Sequence, residues 1–181
     1  MLLVRHGQSE FNVVFSVTRR DPGIRDPRLT ELGLTQAEAA AEALVGRGVE
    51  RLIASPYTRA LETARPIALR LGLPIEVDPL VGERAAFACD VGTPRTDLIG
   101  RFPDLRLDHL DEEWWPTLEE SEERLAWRCG AFREAMPDPH DHVVVVTHWG
   151  FIRGLTGLTV GNGTAVRLDP QGVEVVHPRE P

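Results

Sequence analysis

The sequence predicts an α/β fold: an open, mostly parallel sheet with helices on both faces and an antiparallel hairpin at one edge. Three observations carry this prediction. Short apolar runs alternate along the chain with longer segments of helical pattern, the order that builds parallel sheets with helical crossovers. Several apolar runs stop abruptly at polar residues, as strands do at the carboxyl edge where such sheets bind ligands. Near the end of the chain, two apolar runs lie so close together that a hairpin joins them most simply.

The elements of the first half follow from local patterns. Residues 1 to 6 form an apolar run typical of a fully buried strand, and a polar loop is expected to follow it through Leu29. Residues 35 to 38 have the Thr-Gln-Ala-Glu sequence of a capping box, which predicts a helix that ends near Gly46. A second strand is predicted over residues 50 to 54.

The middle of the chain continues the alternation. A helix is predicted over residues 57 to 71, kinked or divided by Pro66 and ended by Gly72. Residues 75 to 77 predict a short third strand. Thr93, which is followed by proline, predicts another helix start with the threonine as N-cap.

The last third of the chain supplies the remaining elements. A long helix is predicted over residues 118 to 136, where apolar residues recur at helical spacing. The valines 143 to 146 predict a central parallel strand, and residues 151 to 158 predict a helix. Residues 164 to 168 and 173 to 176 predict the antiparallel hairpin at the sheet edge.

Length, charge and cysteine content exclude several classes of protein. The 181 residues fit one domain, residues 1 to 181, and 28 acidic against 20 basic residues give a net charge of −8. Such a surface repels nucleic acid and anionic membranes, so neither is an expected partner. Cys89 and Cys129 are too few for a disulfide framework, and no signal peptide or membrane-spanning run is visible. We therefore expect a cytoplasmic protein with reduced thiols.

Basic residues follow three of the predicted strands at the point where each strand ends. Arg5 and His6 follow the first strand, Arg59 lies shortly after the second, and His148 follows the valine strand. Because the carboxyl ends of parallel strands meet at one edge of a sheet, these side chains are expected to converge. The two arginines offer planar forks for phosphate oxygens, and His6 as a neutral imidazole can attack phosphorus. His148 can stabilise charge on a non-bridging oxygen in the transition state. Because these cations and imidazoles already neutralise a phosphate, no metal and no cofactor are expected.

The motifs around these residues, taken together, resemble one known family. They are Arg5-His6-Gly7 with Ser9 and Asn12, Ser55-Pro56 with Arg59-Ala60 and Thr63-Ala64, Glu83, and Thr147-His148. In this order and spacing they resemble the histidine phosphatase superfamily, which contains the phosphoglycerate mutases. The similarity runs from Met1 to about Val166. It implies a phosphoglycerate mutase-like fold, a phosphohistidine intermediate and a small phosphorylated metabolite as substrate.

Further residues complete the expected site. Asn12 is expected to donate its amide to the phosphate, as the matching asparagine of the family does, while Ser9 either binds phosphate or serves the backbone. Glu83 stands where the family places its acid. It would protonate the leaving oxygen and then, once ionised, deprotonate the attacking water. Asp78 and Asp90 compete with Glu83 for this role.

The resemblance leaves two activities to choose between, a metal-independent phosphomonoesterase and a cofactor-dependent phosphoglycerate mutase. The mutases carry a longer insertion between the acid and the second histidine, and an Arg-His-Tyr-Gly type segment where this chain has Arg84-Ala85-Ala86-Phe87. A shorter and less polar cap leaves the pocket open to water, which favours the phosphatase. An inactive phosphate-binding module is excluded because no catalytic position is missing. The sequence decides neither the substrate nor the oligomeric state, for which a homodimer is one of the alternatives.

Two other motifs support weaker hypotheses. The segment His140-Asp141-His142 has the residue types of a metal site, but it precedes the valine strand at the end opposite the predicted site, so we interpret it as a solvated turn. Trp114 and Trp115 lie in the loosest segment, residues 84 to 117. Neighbouring residues of an extended segment point to opposite sides. One indole could therefore join Phe87 in an apolar wall of the substrate pocket, or both could only hold the loop.

Overall fold

Six strands form a single sheet in the computed structural model, which describes residues 1–136 and 142–177. The elements in chain order are β1 (Leu2–Arg5), α1 (Glu10–Thr18), α2 (Glu31–Leu44), β2 (Arg51–Ala54), α3 (Thr58–Leu71), β3 (Ile75–Val77), α4 (Arg95–Arg101), α5 (Glu122–Ala135), β4 (Val143–Thr147), α6 (Trp149–Thr156), β5 (Ala165–Asp169) and β6 (Gly172–His177). Single 3₁₀ turns span Pro79–Val81 and Ala88–Asp90.

The strand order is β3-β2-β4-β1-β5-β6. The first four of these strands are parallel, and β4 and β1 lie side by side in the middle, with Leu3 opposite Val145. β5 runs antiparallel to β1, and β6 antiparallel to β5 at the sheet edge. The predicted mostly parallel sheet with an antiparallel edge hairpin is therefore confirmed.

Helices cover both faces of this sheet. Leu2 and Val4 point to one face and join a buried cluster with α2, α3 and α4, whereas Leu3 points to the other face and joins a cluster with α5 and α6. The strands β1, β2 and β4 are buried on both faces, and for this reason they appear in the sequence as continuous apolar runs rather than alternating ones.

The first predicted loop contains a helix that the sequence analysis missed. α1 begins after Ser9, whose hydroxyl accepts a hydrogen bond from the Asn12 N–H, while Asn12 Oδ1 accepts one from the Ser9 N–H at 3.0 Å. The reciprocal pair is a capping box with asparagine in place of the usual Glu or Gln. The helix was hidden because Val13, Val14 and Val17 are β-branched and lower its helix propensity.

The prediction that a capping box at residue 35 starts the next helix is wrong. α2 begins at Glu31, with Thr30 as N-cap, and the Thr30 hydroxyl accepts a hydrogen bond from Gly33 N–H at 3.0 Å. Thr35 lies one turn inside the helix, where its hydroxyl donates to the Glu31 carbonyl at 3.1 Å. A threonine hydroxyl can satisfy either role, and the sequence alone does not distinguish them.

Other helix boundaries also differ from expectation. α4 begins after Pro94, so Thr93 is not its N-cap; the Thr93 hydroxyl instead donates to Asp26 Oδ2 at 2.6 Å. α5 begins after Ser121, which caps it, and not at Leu118. α6 begins at Trp149, two residues earlier than predicted.

The predicted end of α3 at Gly72 is confirmed, whereas a division of the helix at Pro66 is not found. The helix runs undivided through Pro66 and ends at Gly72, which has a φ of 67°. Such a left-handed C-cap suits glycine because it has no Cβ to clash.

Candidate active site

His6 lies buried at the carboxyl end of the middle strand β1. Its backbone N–H donates to the Thr147 carbonyl at 2.9 Å, which fixes it against the end of β4. The ring donates from Nδ1 to the Gly7 carbonyl at 2.7 Å, because a carbonyl can only accept. In the neutral ring, Nε2 therefore keeps its lone pair. Burial lowers the pKa of His6 well below its usual value, and the positive charges of Arg59 and Arg5 lower it further.

Gly7 makes this turn possible through an unusually close backbone contact. A Cβ at position 7 would lie 2.2 Å from the Gly33 carbonyl oxygen, and a Cβ at position 33 would lie 2.1 Å from the Gln8 carbonyl oxygen. Neither position has space for a side chain. The segment after His6 is therefore held directly against the first turn of α2, with a further hydrogen bond from Gly7 N–H to the Thr63 hydroxyl at 3.0 Å.

His148 lies beside His6 because their strands are neighbours. The two ring centroids are 5.1 Å apart, and the rings meet edge to face. His148 Nε2 lies 2.8 Å from the Ser55 hydroxyl, whereas Nδ1 is buried without a hydrogen-bond partner among the described residues. Burial lowers the pKa of His148 well below its usual value, and the charge of Arg59 adds to this effect.

Both predicted arginines are close to the histidines, and each guanidinium uses only some of its N–H donors in the hydrogen bonds given below. Arg59 donates to the Cys89 carbonyl at 2.8 Å and to Asp90 Oδ1 at 3.1 Å. Arg5 donates through one terminal nitrogen to the Val160 carbonyl at 2.6 Å, and its buried Nε has no partner among the described residues. The charges of both groups act on His6. The site can thus offer two fixed cations to an anion.

The carboxyl of Glu83 is fixed at the first turn of α6. Its Oε1 accepts hydrogen bonds from the backbone N–H groups of Arg84 and Gly150, both at 2.8 Å. Burial raises the pKa of Glu83, and the negative charge of Asp90 raises it further, against the opposing effect of Arg59. A carboxyl with a raised pKa retains its proton to higher pH, which suits a general acid.

The two competing carboxylates have other contacts. Asp78 caps the turn that precedes Glu83, with Oδ1 accepting from Leu80 N–H at 2.8 Å. Asp90 is almost fully buried; its Oδ1 accepts from Arg59, and its Oδ2 accepts from the N–H groups of Ala86 and Phe87 at 3.0 Å. Asp90 thus aligns Arg59 and shapes the loop after the acid.

The structure brings Asn12 close to His6 through Asn162. Asn12 Oδ1 accepts from the Ser9 hydroxyl at 3.0 Å and from Asn162 Nδ2 at 3.1 Å, while its own Nδ2 donates to none of the described residues. Asn162 Nδ2 also approaches the carbonyls of His6 and Gly7 at 3.1 and 3.3 Å. Ser9 is buried as the N-cap of α1. A direct contact of Asn12 or Ser9 with phosphate stays a prediction.

Arg128 is a supporting residue that sequence reasoning did not find. From α5 its guanidinium donates to the carbonyls of Leu80 and Gly82 at 2.7 and 2.8 Å, and it forms a buried ion pair with Glu120 at 2.7 Å. These contacts fix the backbone that leads into Glu83. The available signal was a charged residue within the apolar stripe of a predicted helix.

Trp114 and Trp115 pack against each other and do not follow the alternation expected of an extended segment. Their ring centroids are 5.4 Å apart, and the Trp114 indole N–H donates to the Thr93 carbonyl at 2.9 Å. Both rings lie against Gly92, where a Cβ would come within 2.6 Å of each ring. Trp114 also contacts Tyr57, whose ring centroid is 5.1 Å from that of His148. These contacts pack both indoles against the loop, and a contact of either indole with substrate stays a prediction.

Other candidate features lie elsewhere. Within residues 1–136 and 142–177, no helix is long and apolar enough to cross a membrane, and no three metal-ligating side chains form a group. Of the segment His140-Asp141-His142, only His142 lies among the described residues; its Nδ1 is 2.7 Å from the Gly48 carbonyl. A groove of about 770 Å³ between α3 and residues 104–109 contains none of the residues above.

Comparison with known families decides the identity of this arrangement. The family model described as "Histidine phosphatase superfamily (branch 1)" matches residues 1–179. The chain belongs to the histidine phosphatase superfamily. The resemblance that the strand-end motifs predicted is therefore confirmed.

Similar proteins and structures agree with this membership. A glucosyl-3-phosphoglycerate phosphatase of Mycobacterium tuberculosis is 31% identical over 86% of this chain and 73% of its own length. The corresponding protein of Mycolicibacterium vanbaalenii is 32% identical over 83% of this chain and 62% of its own length. A structure of the mycobacterial glucosyl-3-phosphoglycerate phosphatase with VO₃ is 28% identical, covers 97% of this chain and 96% of its own, and has a TM-score of 0.64. The predicted enzyme class, a phosphoric monoester hydrolase of the histidine phosphatase type, is confirmed.

Proposed function

We propose that the protein is a metal-independent phosphomonoesterase that hydrolyses a small phosphorylated metabolite through a phosphohistidine on His6. One observation carries this proposal. The Nδ1–H of His6 is held by the Gly7 carbonyl, so that Nε2 keeps a free lone pair beside two fixed arginines. A buried imidazole with a lowered pKa is a nucleophile that stays unprotonated.

The reaction proceeds in two displacements. In the first, His6 Nε2 forms a bond to phosphorus while the ester P–O bond breaks, and Glu83 gives its proton to the departing oxygen. In the second, Glu83 as carboxylate takes a proton from water, whose oxygen attacks phosphorus and breaks the P–N bond. Arg5, Arg59 and His148 stabilise the charge on the non-bridging oxygens in both steps.

The mutase alternative requires the pocket to retain phosphoglycerate while it reorients. The segment that follows Glu83 offers little to hold such a ligand. Ala85 and Ala86 have no polar side chains, and Phe87 is 42% exposed. Arg84 is committed to the segment that leads into α5, where its Nε donates to the Glu120 carbonyl at 2.9 Å. An isomerisation assay with 3-phosphoglycerate, run beside the hydrolysis assay, tests the choice, and isomerisation faster than hydrolysis would reverse it.

The central experiment compares His6→Ala with His142→Ala, an exposed histidine remote from the site as a matched control. His6→Ala should lower kcat/KM by at least roughly 10⁴-fold, as for nucleophile removal in other enzymes, and His142→Ala should change it by less than about twofold. Rapid quenching without acid, followed by mass spectrometry, should find phosphate on His6 during turnover. Full activity of His6→Ala would refute the proposal.

Metal independence has its own test. Treatment with a strong chelator should leave kcat/KM unchanged, because arginines and imidazoles supply the charge that a metal would otherwise provide. Vanadate should inhibit the untreated and the chelated protein equally, because it can adopt the geometry of the transition state. Loss of activity on chelation, with recovery on adding a divalent ion, would contradict this part of the proposal.

A further inference from the structure

Three phenylalanines form a partly exposed aromatic cluster at the border between α1 and the loop after Glu83. The Phe11 and Phe15 rings stack one helical turn apart, with centroids 5.1 Å apart. Phe87 closes the cluster, with its centroid 5.6 Å from that of Phe11 and 5.1 Å from that of Phe15. Phe11 is buried, whereas Phe87 is 42% exposed, so the cluster presents an aromatic surface to solvent.

This cluster is attached on both sides to residues of the phosphate pocket. Phe11 immediately precedes Asn12, whose side chain is linked to His6 through Asn162. The Phe87 N–H donates to Asp90 Oδ2 at 3.0 Å, and Asp90 Oδ1 accepts from Arg59 at 3.1 Å. The backbone of Phe87 is thus linked through Asp90 to Arg59, which is proposed above to bind the phosphate.

The conformation of the loop that carries Phe87 is fixed by several contacts. The Ala86 and Phe87 N–H groups share Asp90 Oδ2, and the Ala88 N–H donates to Asp21 Oδ2 at 2.7 Å, which ties the loop to the segment after α1. A pre-formed apolar surface beside a polar anchoring group is the usual composition of a small-molecule site.

Charged side chains near the acid face away from this cluster. Arg84, the first residue after Glu83, forms ion pairs with Glu119 at 3.4 Å and with Glu122 at 3.3 Å, both on the α5 side. Arg84 is therefore not positioned to pair with a second anionic group on the substrate. The cluster presents aromatic rings at this place, whereas a negatively charged substrate body would require cations there.

We infer that Phe11, Phe15 and Phe87 bind the body of the substrate, and that this wall selects phosphomonoesters with an apolar, ring-bearing alcohol over those with a charged one. The inference rests on the proposed function and deepens it. An aromatic ring on the substrate would stack on Phe87 and bury its exposed face. Phosphate capture by the arginines and selection by the phenylalanines are separate contributions to kcat/KM.

The test uses three primary alkyl phosphates: 2-phenylethyl phosphate, glycerol 1-phosphate and O-phosphoserine. Their leaving groups make similar demands on the acid, so differences in kcat/KM report on the substrate body. The protein should hydrolyse 2-phenylethyl phosphate with the highest kcat/KM. Phe87→Ala should lower that value by about tenfold, mainly by raising KM, and should change the value for glycerol 1-phosphate by less than about twofold.

Matched variants distinguish a substrate contact from a loss of structure. Phe15→Ala should act in the same direction as Phe87→Ala, while Trp127→Ala, an aromatic residue 68% exposed on α5, should change neither substrate's kcat/KM. Thermal midpoints are measured for all variants. A uniform loss of kcat/KM on all three substrates, or no loss in Phe87→Ala, would refute substrate selection by the phenylalanines. Neither result would contradict the proposed phosphatase activity. Absence of hydrolysis of all three substrates by the unchanged protein, with no phosphate on His6, would overturn both.

Discussion

If Glu83 is the proton donor, its contribution to kcat depends on the leaving group of the substrate. A phenolate departs with little protonation, whereas an alkoxide requires a proton from the acid. Glu83→Gln retains an oxygen that can accept from the Arg84 and Gly150 N–H groups, but it has no proton to give. We expect kcat for alkyl phosphates to fall by roughly 10²- to 10⁴-fold, and kcat for aryl phosphates to fall by less than about tenfold.

Asp78→Asn is the control for this experiment, because Asp78 caps the preceding turn and was the next candidate acid. It should leave the ratio of aryl to alkyl rates unchanged. Equal losses on both ester types in Glu83→Gln, or a changed ratio in Asp78→Asn, would move the acid role away from Glu83.

The same residue predicts a pH-dependent change in stability. Burial raises the pKa of Glu83 above its usual value of 4.5 in the folded protein. Below the unfolded-state pKa both states are protonated, so the group imposes no penalty. As pH rises through the folded pKa, the unfolded state gains from ionisation, and the free energy of unfolding decreases. Glu83→Gln removes this decrease.

We therefore expect Glu83→Gln to raise the free energy of unfolding at pH 8 relative to the unchanged protein, with little difference at pH 4. Urea denaturation at both pH values measures it. A stabilisation that is largest at pH 4 would show that the carboxyl is held ionised in the folded protein.

Among the elements, α6 begins directly after His148, and the backbone of its first turn holds the Glu83 carboxyl. A Cβ at Gly150 would lie 2.4 Å from Glu83 Oε1 and 2.9 Å from the Arg84 Cβ. Gly150→Ala should therefore displace the carboxyl, lower kcat for alkyl phosphates by roughly 10²-fold and cost about 1–3 kcal/mol of stability.

Gly130 offers the matched change within α5, because nothing lies within 4 Å of a Cβ there. Gly130→Ala should leave kcat unchanged and stabilise the protein by about 0.5–1 kcal/mol through helix propensity. Activity and thermal midpoint of the two variants give the comparison. If Gly150→Ala retained full activity on alkyl phosphates, the fixed position of Glu83 could not be important for the reaction.

At the scale of the whole molecule, the sequence predicted best what lies at the ends of strands. His6 and His148 each stand two positions after the last residue of an apolar run, so the burial of the strand locates the side chain. Asn162 and Arg128 escaped prediction because they act across the fold, and Asn162 reaches His6 over 156 positions of sequence. No local pattern encodes such a contact.

The errors in helix boundaries have a common cause. Serine and threonine hydroxyls can cap a helix, bond inside it or serve a distant partner, as Thr93 does with Asp26. The tryptophan alternation failed for a related reason, because Gly92 provides room for both indoles on one side. For Thr93 and the tryptophans, tertiary contact rather than local propensity determined the outcome.

The position of the histidines in the sheet has a consequence for hydrogen exchange. β1 and β4 are flanked on both sides by other strands, so their amides exchange only when the sheet itself opens. Glu83 follows the 3₁₀ turn Pro79–Val81, and Asp90 ends the turn Ala88–Asp90, so both carboxyls lie outside the sheet. A molecule in which these turns opened before the sheet would release the acid while the histidines stayed assembled. Such an open molecule would retain part of its grip on phosphate but would have lost the means to cleave an alkyl ester.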